Sequence, residues 1–191
     1  YLSPQGNLPT EKISAAHHWL VAAIRNMPNS YIPDVPFSFL PRYVENLKEK
    51  IKRDDYRFSL MSSENFSRMS PSQVEKLKAL FSDIDVTVVI YLRRQDVWID
   101  SWYSQMVKTG RKITLDDAIL EMSDFLDYRN LINCWGDNFG RENIKIGTYE
   151  GLDDPKALWK DFFTLIGCPQ AAEIELQEET ANVTLAPQEA M

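Results

Sequence analysis

The chain has 191 residues and a net charge of −7, with 44% hydrophobic and 26% charged residues. This length suffices for a single domain with a sizeable core. The acidic balance argues against a broad surface for nucleic acid or anionic membranes, but it is compatible with a small basic pocket. The chain contains no run of 18 apolar residues, so we expect no membrane span within it.

Helical and strand patterns alternate along the chain. The expected helices are 14–27, 40–53, 70–81, the segment between Arg94 and Gly110, 115–126, 127–140 and 153–167, and the expected strands are 56–63, 85–92 and 142–150. Gly140 and Gly167 are expected to end their helices. The alternation predicts an α/β fold with a mostly parallel sheet.

The two cysteines, Cys134 and Cys168, lie far apart and belong to no CxxC or Cys/His pattern. This spacing argues against a disulfide framework and against a cysteine metal site. We therefore expect a reduced, cytoplasmic setting and no metal centre.

The stretch "VVIYLRRQDVWIDSWYSQ", residues 88–105, predicts a junction between a strand and a helix. Its continuous apolar run suits a strand covered on both faces, as in a parallel sheet. The residues that follow recur at helical spacing: Ile99, Trp102 and Met106. Arg93 and Arg94 therefore stand at the carboxyl edge of the sheet, which is where open α/β sheets bind ligands.

This junction has the chemistry of an anion site. Arg93 offers a planar fork for two phosphate oxygens, and Ser101 supplies a hydroxyl eight residues later. Asp96 is expected to be the N-cap of the helix, so nearby backbone N–H groups would add to the site. The alternative interpretation is that the arginines pair with carboxylates and Ser101 only faces solvent.

The segment "YLRRQDVWIDS" resembles the P-loop sulfotransferases, which use 3′-phosphoadenosine 5′-phosphosulfate. Members of this family carry an arginine at the end of a core strand and a serine eight residues later. The resemblance implies that Arg93 and Ser101 bind the 3′-phosphate of the co-substrate. Gln95 stands where many members have proline. Because Arg94 is adjacent to Arg93, either guanidinium group could bind the phosphate.

A later segment, "CWGDNFGRENIKIGTYEGLDDPKALWKDFFTLIG", is also similar to this family. There, a helix precedes a strand that ends in Tyr-Glu-Asp-Leu, and a second helix closes on Phe-Leu-Gly. Here the strand end reads Tyr149, Glu150, Gly151 and Leu152, so glycine replaces the aspartate. The resemblance implies that Tyr149 lies near the adenine, and the alternative is a core aromatic. The closest likeness is to bacterial sulfotransferase-like proteins.

The family's phosphosulfate loop, rich in lysine, glycine and threonine, has no counterpart in these residues. Its backbone N–H groups and lysine hold the 5′-phosphosulfate. The family's layout puts this loop just before Tyr1. The resemblance thus implies one sulfotransferase-like domain, residues 1–191, with the three-layer parallel sheet and flanking helices of P-loop NTPase-like folds. We expect the first βα unit and the C-terminal helices to be missing.

Sulfuryl transfer needs a base for the acceptor's proton. Glu64, in "SSENF" just after an expected strand, is the first candidate, and we expect it to be partly buried at the same sheet edge as Arg93. His17, in "AAHHWL", is the second, because imidazole suits proton transfer near neutral pH. Members of the family use either residue type in this part of the chain.

The leading hypothesis is transfer of a sulfuryl group from 3′-phosphoadenosine 5′-phosphosulfate to a hydroxyl or amine acceptor, a small molecule or a carbohydrate. One alternative is a non-catalytic nucleotide-binding or interaction domain. Another is a small-molecule P-loop kinase, which would need a Walker lysine and a magnesium-binding aspartate. Four tryptophans are expected in the core rather than on a carbohydrate: Trp98, Trp102, Trp135 and Trp159.

Overall fold

The computed structural model describes residues 17–25, 40–53, 59–152 and 154–170. They fall into two compact units. Unit 1 comprises the described residues up to Val86 together with Asn133–Arg141, and unit 2 comprises Thr87–Ile132 and the described residues from Glu142 onward. The expected helix start at residue 14, the strand segment 56–58 and the acidic end of the chain lie outside the described residues.

Unit 1 is helical in its described part. It contains α1 (His18–Arg25), α2 (Leu40–Arg53), a 3₁₀ helix (Glu64–Arg68), α3 (Pro71–Leu80) and the second half of α7 (Tyr128–Phe139). The start of α3 was predicted correctly, because Ser70 is its N-cap, Pro71 follows, and the Gln73 side chain accepts the Ser70 N–H at 2.9 Å. The strand expected to reach residue 63 is wrong for residues 59–63, since the backbone of Ser62 bonds to His17 instead of to a neighbouring strand.

The core of unit 1 forms where the apolar faces of its helices meet. Its buried side chains include Leu20, Val21, Ile24, Tyr43, Val44, Leu47, Val74, Leu77, Phe81, Trp135 and Phe139. The edge of the Phe66 ring contacts the Trp135 indole with a centroid distance of 6.1 Å. The helical spacing of these positions produces the apolar stripes that drive the packing.

An ion pair ties α2 to the turn after α3. Lys48 is only 8% exposed, and its Nζ lies 2.5 Å from Asp83 Oδ1, while Lys52 Nζ lies 3.3 Å from Asp83 Oδ2. The hydrogen bond from Lys48 is the main cause that lowers the pKa of Asp83 from 3.8 to about 2. The Asp83 carboxylate therefore stabilises the folded state at neutral pH.

We expect the Asp83→Asn variant to lose stability at pH 7 and to respond less to acid. Because the pKa of Asp83 is lower in the folded state, its contribution is present above pH 3.8 and is lost as the pH falls toward about 2. Urea unfolding, followed by tryptophan fluorescence at several pH values in this window, measures both effects. Asp85→Asn, at an exposed carboxyl two residues away, is the control. An Asp83→Asn profile parallel to wild type would contradict the assignment.

Unit 2 contains a parallel sheet of two strands in its described part. The strands are β1 (Val88–Leu92) and β2 (Ile144–Thr148), and their register runs from Val88 opposite Ile144 to Leu92 opposite Thr148. Along the chain, α4 (Gln95–Lys108), α5 (Leu115–Glu121), α6 (Ser123–Leu126) and α7 separate the two strands, and α8 (Pro155–Leu165) follows β2. A long connection is what parallel pairing requires. The predicted α/β character with parallel strands is confirmed.

The covering of β1 differs from the expectation. All five of its residues are half-buried rather than buried on both faces. Within the described residues, β1 pairs with a strand along one edge only. Lys145 on β2 donates from its Nζ to the Leu165 carbonyl oxygen at 2.7 Å, which fixes the end of α8 against the sheet. The helix ends expected at Gly140 and Gly167 are confirmed, since both residues have positive φ.

The four tryptophans expected in the core differ in solvent exposure. Trp135 is buried as expected, and Trp98 and Trp102 are half-buried. Trp159 is 39% exposed, so its assignment to the core is wrong. Its ring stacks on Phe163 with a centroid distance of 5.6 Å and makes an edge-to-face contact with Phe162 at 6.1 Å. None of the helices in the described ranges has the length and apolar character needed to span a membrane.

Candidate anion-binding site

Arg93 and Tyr149 lie at the same edge of the sheet. Leu92 and Thr148, the last residues of the two strands, are paired, and the Tyr149 N–H donates to the Leu92 carbonyl oxygen at 2.9 Å. Because the strands are parallel, the residues that follow each of them emerge side by side. The structure therefore brings together two of the three residues expected to bind the nucleotide.

The two neighbouring arginines have different surroundings. Arg94 is held at both ends: its guanidinium donates to Asp96 at 3.2 and 2.5 Å, and its backbone N–H donates to the Glu150 carboxylate. Arg93 is exposed, and its guanidinium makes no hydrogen bond or ion pair with any residue that the structure describes. The backbone of Arg93 is fixed, since its carbonyl oxygen accepts the Tyr128 hydroxyl at 2.6 Å. Of the two arginines, Arg93 is thus the candidate whose guanidinium group is available to bind an anion.

The start of α4 differs from the expectation. Asp96 is not the N-cap, because the helix begins at Gln95 and Arg94 occupies the cap position. The Asp96 carboxylate accepts the Val97 N–H at 2.9 Å and is turned toward the Arg94 guanidinium, which lowers its pKa. A carboxylate of the chain itself therefore lies at the start of α4, and the exposed Arg93 guanidinium, rather than open backbone N–H groups, is the candidate source of positive charge at this edge.

Ser101 lies further along α4 than the first turn. It is the seventh residue of the helix, it is half-buried, and its hydroxyl makes no hydrogen bond with the described residues. At a rise of about 1.5 Å per residue, this places it roughly 9 Å along the helix axis from Gln95. A phosphate bound by both Arg93 and Ser101 must lie between the strand end and the second turn of α4.

Tyr149 is an exposed aromatic on a fixed support. Its side chain is 44% exposed, so the interpretation as a core aromatic is wrong. The ring makes an edge-to-face contact with Tyr91, with a centroid distance of 5.5 Å, and the Tyr91 hydroxyl donates to Asp161 Oδ2 at 2.5 Å. Burial and the Asp161 carboxylate raise the pKa of Tyr91, which therefore stays protonated and keeps this donor.

The turn after Tyr149 has a backbone conformation that favours glycine at position 151. The Leu152 N–H donates to the Tyr149 carbonyl oxygen at 3.1 Å, and Gly151, the third residue of this turn, has a φ of 80°. A positive φ at this position is typical of a type II turn and favours glycine. The turn also places Glu150 where its carboxylate accepts the Arg94 N–H.

Both candidate bases lie in unit 1, whereas Arg93, Ser101 and Tyr149 lie in unit 2. His17 is fully buried, its N–H donates to the Ser62 carbonyl oxygen at 2.8 Å, and its Nδ1 accepts the Ser62 N–H at 3.3 Å. Glu64 is the first residue of the 3₁₀ helix and is exposed, so the expectation of partial burial is wrong.

Sequence reasoning missed His18 and Ser63. His18 Nδ1 lies 2.7 Å from Ser63 Oγ, although the two residues are 45 positions apart in the chain. The adjacent letters "HH" and "SS" hinted at paired polar residues, but only the structure shows which histidine meets which serine. No group of three or more histidine, cysteine or acidic side chains in the described segments has the arrangement of a metal site.

The comparisons with known proteins identify no family. No protein-family model and no solved structure matches the chain. The chain is similar to an uncharacterized protein of Archaeoglobus fulgidus, with 26% identity over 130 residues, which cover 66% of this chain and 34% of that protein. The match thus spans about a third of the length of this relative.

Proposed function

We propose that the carboxyl edge of the β1–β2 sheet binds the 3′-phosphate of an adenine nucleotide and that the chain acts as a sulfotransferase, or as part of one. The observation that carries the proposal is the Arg93 guanidinium, exposed and without a partner among the described residues, at the same edge as the exposed Tyr149. The resemblance of both surrounding segments to P-loop sulfotransferases supports the same ligand.

Each residue has a distinct part in this proposal. Arg93 contacts two oxygens of the 3′-phosphate, which is the strongest geometry for an arginine and an oxyanion. Ser101 donates its hydroxyl to the same phosphate, and the Tyr149 ring lies against the adenine. 3′-Phosphoadenosine 5′-phosphosulfate supplies the sulfuryl group that is transferred to a hydroxyl or amine of a small-molecule or carbohydrate acceptor.

Glu64 remains the first candidate for the base that takes the acceptor's proton. Its side chain is exposed, so an acceptor can reach its carboxylate. His17 is the weaker candidate, because it is fully buried and its Nδ1 already accepts the Ser62 N–H. The rate of sulfuryl transfer by Glu64→Gln, compared with that of wild type, tests this order. A large loss of rate would support Glu64 as the base, and an unchanged rate would favour His17.

Nucleotide selectivity tests the proposal. Adenosine 3′,5′-bisphosphate and adenosine 5′-monophosphate differ only in the 3′-phosphate, so their Kd values, measured by calorimetry, isolate its contribution. We expect the bisphosphate to bind roughly 10- to 150-fold more tightly, the value of one charge-assisted contact. Equal affinity would contradict the proposal, and tighter binding of ADP would favour the kinase alternative. Release of the bisphosphate from 3′-phosphoadenosine 5′-phosphosulfate with a panel of acceptors separates an enzyme from a non-catalytic domain.

A further inference from the structure

Two adjacent histidines meet two adjacent serines in unit 1. The first pair is a backbone clamp, because the His17 N–H donates to the Ser62 carbonyl oxygen at 2.8 Å and the Ser62 N–H donates to His17 Nδ1 at 3.3 Å. The second pair is made by side chains, with His18 Nδ1 at 2.7 Å from Ser63 Oγ. His17 is fully buried, whereas His18 and Ser63 are half-buried.

The neighbouring groups determine the direction of the second hydrogen bond. The side-chain Nδ2 of Asn65 lies 3.3 Å from His18 Nδ1, and an amide nitrogen only donates, so Nδ1 carries the lone pair. The Ser63 hydroxyl is therefore the donor to His18. Ser63 Oγ in turn accepts the backbone N–H of Asn65 at 3.2 Å. This arrangement directs the hydroxyl proton toward the imidazole and stabilises negative charge on the oxygen.

We propose that Ser63 and His18 form a nucleophile–base pair that reacts with activated carboxylic esters. The 2.7 Å contact is within the range in which a histidine activates a serine hydroxyl. Ser63 Oγ forms a bond to the acyl carbon while its proton moves to His18 Nδ1. The ester C–O bond breaks, and the leaving alcohol takes the proton from His18, or departs as its anion while His18 loses the proton to solvent. Water then attacks the acyl carbon and gives a proton to His18 Nδ1. The bond between Ser63 Oγ and the acyl carbon breaks, and the proton returns from His18 to Ser63 Oγ as the carboxylic acid leaves.

A capping role for Ser63 does not account for the whole arrangement. As N-cap of the 3₁₀ helix, Ser63 needs only to accept the Asn65 N–H, and this leaves its hydroxyl proton free for any acceptor. That proton is directed to an imidazole held in place from one residue away by the buried His17 clamp. Preorganisation of this kind is what a reactive serine requires. The site lies within unit 1 and does not depend on nucleotide binding in unit 2.

Acylation by p-nitrophenyl acetate tests this pair on the 191-residue chain. Release of p-nitrophenolate gives the rate, and peptide mass spectrometry locates the acetyl group. We expect acetylation of Ser63 in preference to the nearby Ser62 and Ser67. His18→Gln is expected to slow Ser63 acetylation about 100-fold, the usual contribution of a general base. Ser67→Ala, at an exposed serine of the same 3₁₀ helix, is the matched control and is expected to leave the rate unchanged.

A second variant separates reactivity from folding. Ser63→Asn keeps an oxygen that can cap the 3₁₀ helix but has no hydroxyl, so it is expected to stay folded and to lose the acetylation. Acetyl groups spread over lysines and serines without preference for Ser63 would overturn the proposal, as would an unchanged rate in His18→Gln. The location of the acetyl groups on the wild-type chain shows whether Ser63 is the preferred nucleophile, even where a variant fails to fold.

Discussion

Replacement of Arg93 by alanine is expected to weaken the binding of adenosine 3′,5′-bisphosphate by about 1.5–3 kcal/mol, which corresponds to roughly a 10- to 150-fold increase in Kd. The effect is large because the guanidinium makes no hydrogen bond or ion pair with the described residues, so it can give both of its parallel donors to the phosphate. Isothermal calorimetry at fixed ionic strength measures the change. Binding of adenosine 5′-monophosphate is expected to change much less.

Arg94→Ala is the matched control for this prediction. It removes the same charge from the next residue, but the guanidinium that it removes is already held by Asp96 at 3.2 and 2.5 Å. We expect only a small loss of affinity, from the change in local charge. A larger loss for Arg94→Ala than for Arg93→Ala would show that the ion pair opens on binding and that the assignment of the two arginines is wrong.

Gly147→Ala is expected to lower the free energy of unfolding by about 1–3 kcal/mol, the usual cost of overpacking. Gly147 is buried opposite Tyr91, and a Cβ at this position would lie 2.5 Å from Tyr91 Cε1 and 2.7 Å from Cζ. The Tyr91 ring cannot easily retreat, because its hydroxyl is bonded to Asp161 and the ring contacts Phe162. Relaxation of the ring would also displace Tyr149, which rests on it.

A double-mutant cycle identifies the origin of this cost. In a Tyr91→Ala background, Gly147→Ala is expected to cost less, because the ring that it meets is gone. Urea unfolding followed by tryptophan fluorescence gives the free energies. Thr148→Ala, at an exposed position of the same strand, is the control and is expected to have a small effect. An unchanged stability in Gly147→Ala would contradict the close approach of Tyr91.

Local sequence patterns were sufficient to predict the strands and the helix that position the candidate site. The apolar run that forms β1, the helical spacing after it and the strand that forms β2 each have a local pattern, and parallel strands place Arg93 and Tyr149 at one edge. Local patterns also located the ends of α7 and α8, because glycine readily adopts the positive φ found there.

Contacts between distant parts of the chain determined what the sequence could not predict. Arg93 and Arg94 are adjacent, and their roles differ because Glu150, 56 residues away, receives the Arg94 N–H while Asp96 binds its guanidinium. Asp96 is not the N-cap, because α4 begins earlier than expected, at Gln95. The pairing of His18 with Ser63 likewise joins residues 45 positions apart.

A crystal structure of the chain with adenosine 3′,5′-bisphosphate tests the central claim most directly. We expect the 3′-phosphate within hydrogen-bonding distance of the Arg93 guanidinium and the Ser101 hydroxyl, with the adenine against Tyr149. The Arg94 ion pair with Asp96 is expected to remain intact. A nucleotide bound elsewhere on the chain, or one that reaches this edge through its 5′-phosphate and leaves Arg93 without a contact, would contradict the account.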